Sequence, residues 1–293
     1  MSCRKFAAAI LCAALLAGCT ASFTYNHLDR LIPWYVDGYV DLTREERRAL
    51  ENRLEPLLQW HRAEELARYI SLLDRIEQDL AGPLKPASVS AWIDDLGSAL
   101  ERIQDSLLSL ALDFGATLSD EQMAEFAASL WERQREYERE FLGRSETEYR
   151  RDSYDNLADL LSRFTGPLEP AQEQRLRLAA GDLRRFDQAW LEERAAWLET
   201  LEPLLQRGPG WQRRLWDAHA ARKAQRTPEY REYLEHNVLV ISAGVADVLN
   251  QLTARQRQRV AREVDDLRAR LRKLASRPPL AGAQAASAAC RIT

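Results

Sequence analysis

The sequence predicts an all-α protein, an elongated multi-helix bundle of about eight or nine helices, from three observations. Apolar residues recur at three- and four-residue steps along most of the chain, the spacing that gathers them on one helix face. No run alternates apolar and polar residues as a half-buried strand would. Ser or Thr followed three residues later by Glu or Gln, the spacing of a reciprocal helix cap, marks several starts.

Taken in chain order, the first element is a targeting segment. Arg4 and Lys5 precede an unbroken apolar stretch from Phe6 to Ala17. That stretch of about a dozen residues suits a signal-peptide core and falls short of the roughly 20 a spanning helix needs. It ends in Leu16-Ala17-Gly18-Cys19, which resembles the lipobox of bacterial lipoprotein precursors. The resemblance implies cleavage after residue 18, a diacylglyceryl thioether on Cys19 and acylation of the new amino terminus. Two or three acyl chains exceed what reversible anchoring requires, so the attachment to the bilayer is stable. The alternative, an ordinary secretory cut nearby, releases a soluble protein. Thr20 follows the cysteine, and by analogy with enteric lipoproteins a residue other than Asp there implies the outer membrane, facing the periplasm.

Residues 19–41 form the lipidated N-terminus and an aromatic segment. Trp34, Tyr35 and Tyr39 fall close to the lipid, where amphipathic rings can rest at the headgroup level. They can also form the first packed layer of the domain, which is the expectation, since such rings bury large areas.

The helical body follows. Pro56 predicts a kink or split near Glu55. Val89, Trp92, Ile93, Leu96, Leu100, Ile103, Leu107 and Leu110 give one long apolar stripe. Leu130, Trp131, Tyr137, Phe141 and Tyr149 mark a second long helix, and Leu176, Leu183, Phe186, Trp190, Trp197, Leu201 and Leu205 a third. Thr227-Pro228 reads as a cap with proline in the first helical position. Val238 to Leu249 is the most apolar stretch of the mature chain; Gly244 there allows close helix contact, and Asp247 calls for an Arg partner if buried. Val260, Val264, Leu267, Leu271 and Leu274 close the series. Gly82-Pro83, Gly166-Pro167 and Gly208-Pro209-Gly210 are turns. Residues 277–293 have little to bury and read as a disordered tail.

One pattern recurs at Leu42-Thr43-Arg44-Glu45-Glu46, Leu118-Ser119-Asp120-Glu121-Gln122, Leu168-Glu169-Pro170-Ala171-Gln172 and Leu252-Thr253-Ala254-Arg255-Gln256. It predicts helix starts near 44, 120, 170 and 254. Leu118 and Met123 are spaced to staple the second start. The order admits two readings: related halves 42–164 and 168–276, or four independent starts that share a common cap, the expected case.

Two resemblances follow from these residues. Tyr25-Asn26-His27-Leu28-Asp29-Arg30-Leu31-Ile32-Pro33-Trp34-Tyr35-Val36-Asp37-Gly38-Tyr39-Val40-Asp41-Leu42, with Trp60-His61-Arg62 downstream, resembles a family of uncharacterised Gram-negative lipoproteins in which such a segment follows the lipobox closely. That family has no established activity, so it implies no catalytic roles. Leu252-Thr253-x-x-Gln256 is similar to the motif of small periplasmic stress chaperones and metal-responsive helical proteins. Ser119 and Glu46 are departures from it in the other copies.

The chemistry-bearing residues are few. The histidines are His27, His61, His219 and His236. None sits in an H-E-x-x-H arrangement, and Glu232-x-x-Glu235-His236 misses the Glu-x-x-His spacing of carboxylate-bridged bundles. No metal and no cofactor are therefore expected. There is no G-x-S-x-G elbow and no glycine-rich phosphate loop. Adjacent carboxylates such as Asp94-Asp95, Glu192-Glu193 and Asp265-Asp266 diverge by about 100° on a helix and read as solvated faces. Cys3 and Cys12 leave with the signal segment and Cys19 takes the lipid, so Cys290 has no intrachain partner. The formal charge of −4 is mixed along the chain, which argues against nucleic acid. Trp60-His61-Arg62 is the candidate for more than packing: it lines a polar cleft or, as expected, contains a hydrogen-bonded core histidine.

These features point to a non-catalytic, membrane-tethered periplasmic protein that engages other envelope proteins through its charged helical faces. The alternatives are a periplasmic chaperone or stress sensor, and an envelope enzyme acting on lipid or cell wall.

Overall fold

Local hydrogen bonds place the helix starts where the caps predict them. Thr43 Oγ1 accepts from the Glu46 amide at 3.2 Å while Glu46 accepts from the Thr43 amide at 2.8 Å. Ser119 with Gln122 and Thr253 with Gln256 repeat the exchange. Gln172 accepts from the Glu169 amide at 2.9 Å ahead of Pro170. Each such cap is worth about 1 kcal/mol. Helices accordingly begin at Arg44, Asp120, Pro170 and Ala254.

The computed structural model describes residues 24–276. The signal segment, the lipobox, Cys19 and the tail with Cys290 lie outside the described residues. Within them the protein is all-helical, with eleven α-helices and one π turn rather than eight or nine helices. They are α1 (Leu28–Val36), α2 (Arg44–Trp60), the π turn (His61–Glu65), α3 (Leu66–Leu80), α4 (Pro86–Gly115) and α5 (Asp120–Leu142). There follow α6 (Glu146–Thr165), α7 (Pro170–Asp182), α8 (Asp187–Leu205), α9 (Trp211–Gln225), α10 (Pro228–Asn250) and α11 (Ala254–Ala275).

The extra helices have physical causes. The second predicted helix divides at Gly143, because Ser145 and Glu148 form a further capping box that starts α6. The third divides at Leu183, where the backbone turns extended (ψ 135°). There the Asn237 side chain accepts from the Arg184 amide and donates to the Arg184 carbonyl, both at 2.9 Å, replacing the helical partners. Conversely, the predicted split at Pro56 does not occur: α2 runs through it. Pro56 and Asn52 lie on the exposed side, so water can satisfy the carbonyl that loses its donor.

Contacts divide the chain into two units. Of the described residues, the first takes 24–75, 98–117 and 264–276, and the second 76–97 and 118–263. The core of the first is built from Leu50, Leu54 and Leu58 of α2, Leu66, Tyr69 and Leu73 of α3, and Val264, Leu267, Leu271 and Leu274 of α11, all buried. α1 packs on α2.

In the second unit α5 packs on α8, α6 on α7, and α7 on α10. Tyr137, Phe141 and Leu191 form a buried cluster closed by Trp190, whose ring meets Phe141 edge-on at 5.5 Å. Leu118 and Met123 are both buried, as a staple requires. α7 and α10 run antiparallel, since Gln172 meets Gln251 near one end and Arg184 meets Asn237 at the other. Between them a Cβ on Gly244 would stand 2.7 Å from Ala179 Cβ, so only glycine permits this approach. Asp247, by contrast, is exposed and only 3.9 Å from Arg175, so no buried charge needs compensating. Leu96 of the predicted α4 stripe is 38% exposed, against 4% for Val89 and 8% for Trp92. Among the described residues no single helix is long and apolar enough to cross a membrane; α10 and α11 qualify only as a pair bent by 115°.

The last two copies of the recurring pattern pair with each other. Gln172 Nε2 donates to Gln256 Oε1 at 3.0 Å and to the Gln251 carbonyl at 3.2 Å. Gln256 Nε2 donates to Gln172 Oε1 at 2.9 Å and to the Pro167 carbonyl at 3.0 Å. Each carbonyl belongs to the residue five before the partner glutamine, so the arrangement is two-fold in its bonding. Both amides are buried, and each also caps its own helix. Replacing either glutamine by Ala should cost about 1–3 kcal/mol by orphaning the other. The double variant should cost less than the sum, with a coupling of about 0.5–3 kcal/mol in urea unfolding; strictly additive losses would refute the pairing.

Candidate functional site

The Trp60-His61-Arg62 group falls where the backbone changes register. Past Trp60 the chain winds for five residues as a π turn, with the Leu66 amide reaching back to the His61 carbonyl. Such turns insert a residue into a helix and recur at functional sites. Here the turn brings Arg62, Glu65 and Leu66 inward together, at 9%, 0% and 1% exposure.

His61 is half-buried between two tyrosines. Its Nδ1 lies 2.8 Å from the Tyr25 hydroxyl and its Nε2 lies 3.4 Å from the Tyr69 hydroxyl. Trp60 meets the imidazole edge-on at 6.4 Å. The Arg62 guanidinium stands 5.6 Å from the Tyr25 ring centroid. His61 thus links the Tyr25 and Tyr69 hydroxyls through its two ring nitrogens. Arg62 Nε is buried without a hydrogen-bond partner among the described residues.

Glu65 anchors the other side of the turn. Arg102 of α4 grips it with two bonds, Nε at 2.7 Å and Nη2 at 2.8 Å, and Arg68 adds a third. Burial alone would raise the Glu65 pKa, but the hydrogen bonds and charges of Arg102 and Arg68 hold it below the usual range. Burial pulls His61 down from 6.5 to about 4, the nearby Arg62 charge adding to the effect and Glu65 opposing it. Burial pushes Tyr25 up to about 12 against the opposing Arg62, and pushes Tyr69 up as well.

The other sequence candidates fall apart in space. Trp34 projects from α1 at 69% exposure, outside any packed layer. Tyr35 is half-buried and its hydroxyl lies 2.8 Å from that of Tyr39, which is buried. His236 is half-buried and donates to the Asp182 carbonyl at 2.9 Å. Cys19, Leu16, Ala17 and Gly18 lie outside the described residues. Among the described residues no group of three or more His, Cys, Asp or Glu side chains is placed to hold a metal ion.

Sequence reasoning missed Tyr25, Glu65, Tyr69 and Arg102 as members of this cluster. Glu65 and Tyr69 stand four and eight residues beyond His61, which is helical spacing and a usable signal. Arg102 lies 37 residues from Glu65 and carries no such signal.

The family model for a family of unknown function, DUF6279, matches residues 38–231. The chain belongs to that family. The DUF6279 match takes in the π turn, Tyr69 and Arg102 but begins after Tyr25 and Trp34. No curated protein and no solved structure matches the chain.

Two predictions follow from this cluster. The folded pKa of His61 lies below its unfolded value, so between 6.5 and about 4 the unfolded chain binds a proton that the fold refuses. Stability contributed by neutral His61 is present above pH 6.5 and is lost as pH falls towards about 4. The loss amounts to at most about 3 kcal/mol. Glu65, held below its usual range, acts in the same direction at lower pH. His61→Phe should flatten the stability-versus-pH slope in that window when urea midpoints are compared; an unchanged slope would assign it to another group. Arg102→Leu should cost about 3–5 kcal/mol, because it strips a buried carboxylate of its main partner, whereas Glu65→Leu with Arg102→Leu should recover most of the loss. Equal destabilisation in single and double variants would rule out the pairing as its cause.

Proposed function

We propose that this protein is a non-catalytic, membrane-tethered envelope lipoprotein, acylated on Cys19, facing the periplasm from the outer membrane, that binds other envelope proteins through its helical faces. The observation that carries this reading is the fixation of Tyr25. Only six residues beyond Cys19, it is 2% exposed and hydrogen-bonded into the His61 cluster. A chain joined so early to its folded body transmits the position of its lipid to that body, as a tether must.

The electrostatics favour binding over catalysis. A general acid or base works best with a pKa near the operating pH, yet His61 sits at about 4 and Tyr25 at about 12, and Glu65 is neutralised by two arginines. Related halves 42–164 and 168–276 would suit the same role by presenting similar faces at two places, and the four recurring caps are their support.

Radioactive palmitate should label the wild type and not Cys19→Ala, and the label should fractionate with the outer membrane. Photo-crosslinkers placed on exposed helical positions such as Leu178 and Leu239 should yield discrete adducts with envelope proteins in cells. A mature chain starting elsewhere with an unmodified Cys19 would overturn the tether, and the absence of any adduct would overturn the binding role.

A further inference from the structure

We propose that Leu31 and Trp34 form a second membrane contact, entering the interfacial layer of the phospholipid bilayer that holds the lipidated N-terminus. The inference rests on the reading that Cys19 is acylated.

α1 has two unlike faces. Leu28 and Pro33 turn inward and are buried, as are Tyr39 and Val40 just beyond. Arg30, Leu31, Trp34 and Gly38 are all exposed, at steps of three and four that place them along one outer stripe. Trp34 is 69% exposed and Leu31 37%. A single exposed leucine needs no explanation, but here the largest side chain in the repertoire stands one turn from a leucine on an ordered helix whose other face is packed.

Chain length names the occupant. Tyr25 is locked to the body and stands six residues beyond Cys19. Fully extended, they span about 20 Å. α1 begins three residues after Tyr25, so the lipid holds this helix within a short distance of the headgroups. An indole suits that layer because its body is apolar while its N–H can still find water or an ester carbonyl. Exposed Arg30, on the same stripe, can meet a lipid phosphate. Tyr35 and Tyr39 are turned away, their hydroxyls 2.8 Å apart, which leaves Trp34 as the aromatic on the outer stripe.

The test uses the full lipoprotein reconstituted into vesicles of phosphatidylethanolamine and phosphatidylglycerol, with or without lipids brominated near the top of the acyl chain. Brominated lipid should quench a share of the emission comparable to one of the eight tryptophans in the wild type. Trp34→Phe should remove that share with the melting temperature unchanged, because its side chain is 69% exposed, and Leu31→Asp should diminish it. Equal quenching in wild type and Trp34→Phe, with palmitate label present on both, overturns the Trp34 contact and leaves the tether standing. Wild-type protein without the label removes the tether and this inference together.

Discussion

Burial strips Glu65 of the water that would solvate its charge, and much of the first unit is arranged around that deficit. An unpaired carboxylate at such a site costs several kcal/mol; here three guanidinium hydrogen bonds compensate it. Two come from Arg102 on α4, so the pair ties the π turn to a helix distant in sequence. The same turn places Arg62 and His61 against Tyr25. Thus one buried charge, the altered winding beside it and the fixation of the chain's N-terminal approach form a single connected set of constraints.

How much of this was legible in the sequence depends on the range of each interaction. Caps act over three residues, so the starts at Arg44, Asp120, Pro170 and Ala254 were readable from the local sequence. The apolar stripe of α11 was equally plain, because Val260 to Leu274 needs only period and burial. The break between α7 and α8 was not, since Asn237, 53 residues away, supplies the hydrogen bonds that make it possible. The π turn was invisible for a similar reason: nothing in Trp60-His61-Arg62 announces that Leu66 will reach back five residues rather than four. Pro56 does not split α2, as an exposed proline can be tolerated where water replaces the lost donor.

The candidate cluster was half legible. Its histidine and its two flanking residues were identifiable as an unusual polar group near a proline, whereas its acid, its tyrosines and its distant arginine were not assembled. The recurring Leu-x-x-x-Gln pattern shows the complementary lesson. Its helix-capping meaning was readable, but the mutual burial of Gln172 and Gln256 required knowing that two caps meet. In this chain the pattern thus has a sufficient explanation in capping and packing.

α10 carries two asparagines that behave alike. Asn237 clasps both backbone groups of Arg184, and Asn250 clasps both of Leu84, at 2.8 and 2.9 Å. Their separation of thirteen residues amounts to about 20 Å of helix. α10 therefore works as a ruler between two chain segments. Inserting or deleting one residue between the clasps would swing one amide about 100° around the axis and 1.5 Å along it, breaking its grip. Sequence drift along this helix can change what its exposed positions carry, but not how many positions there are.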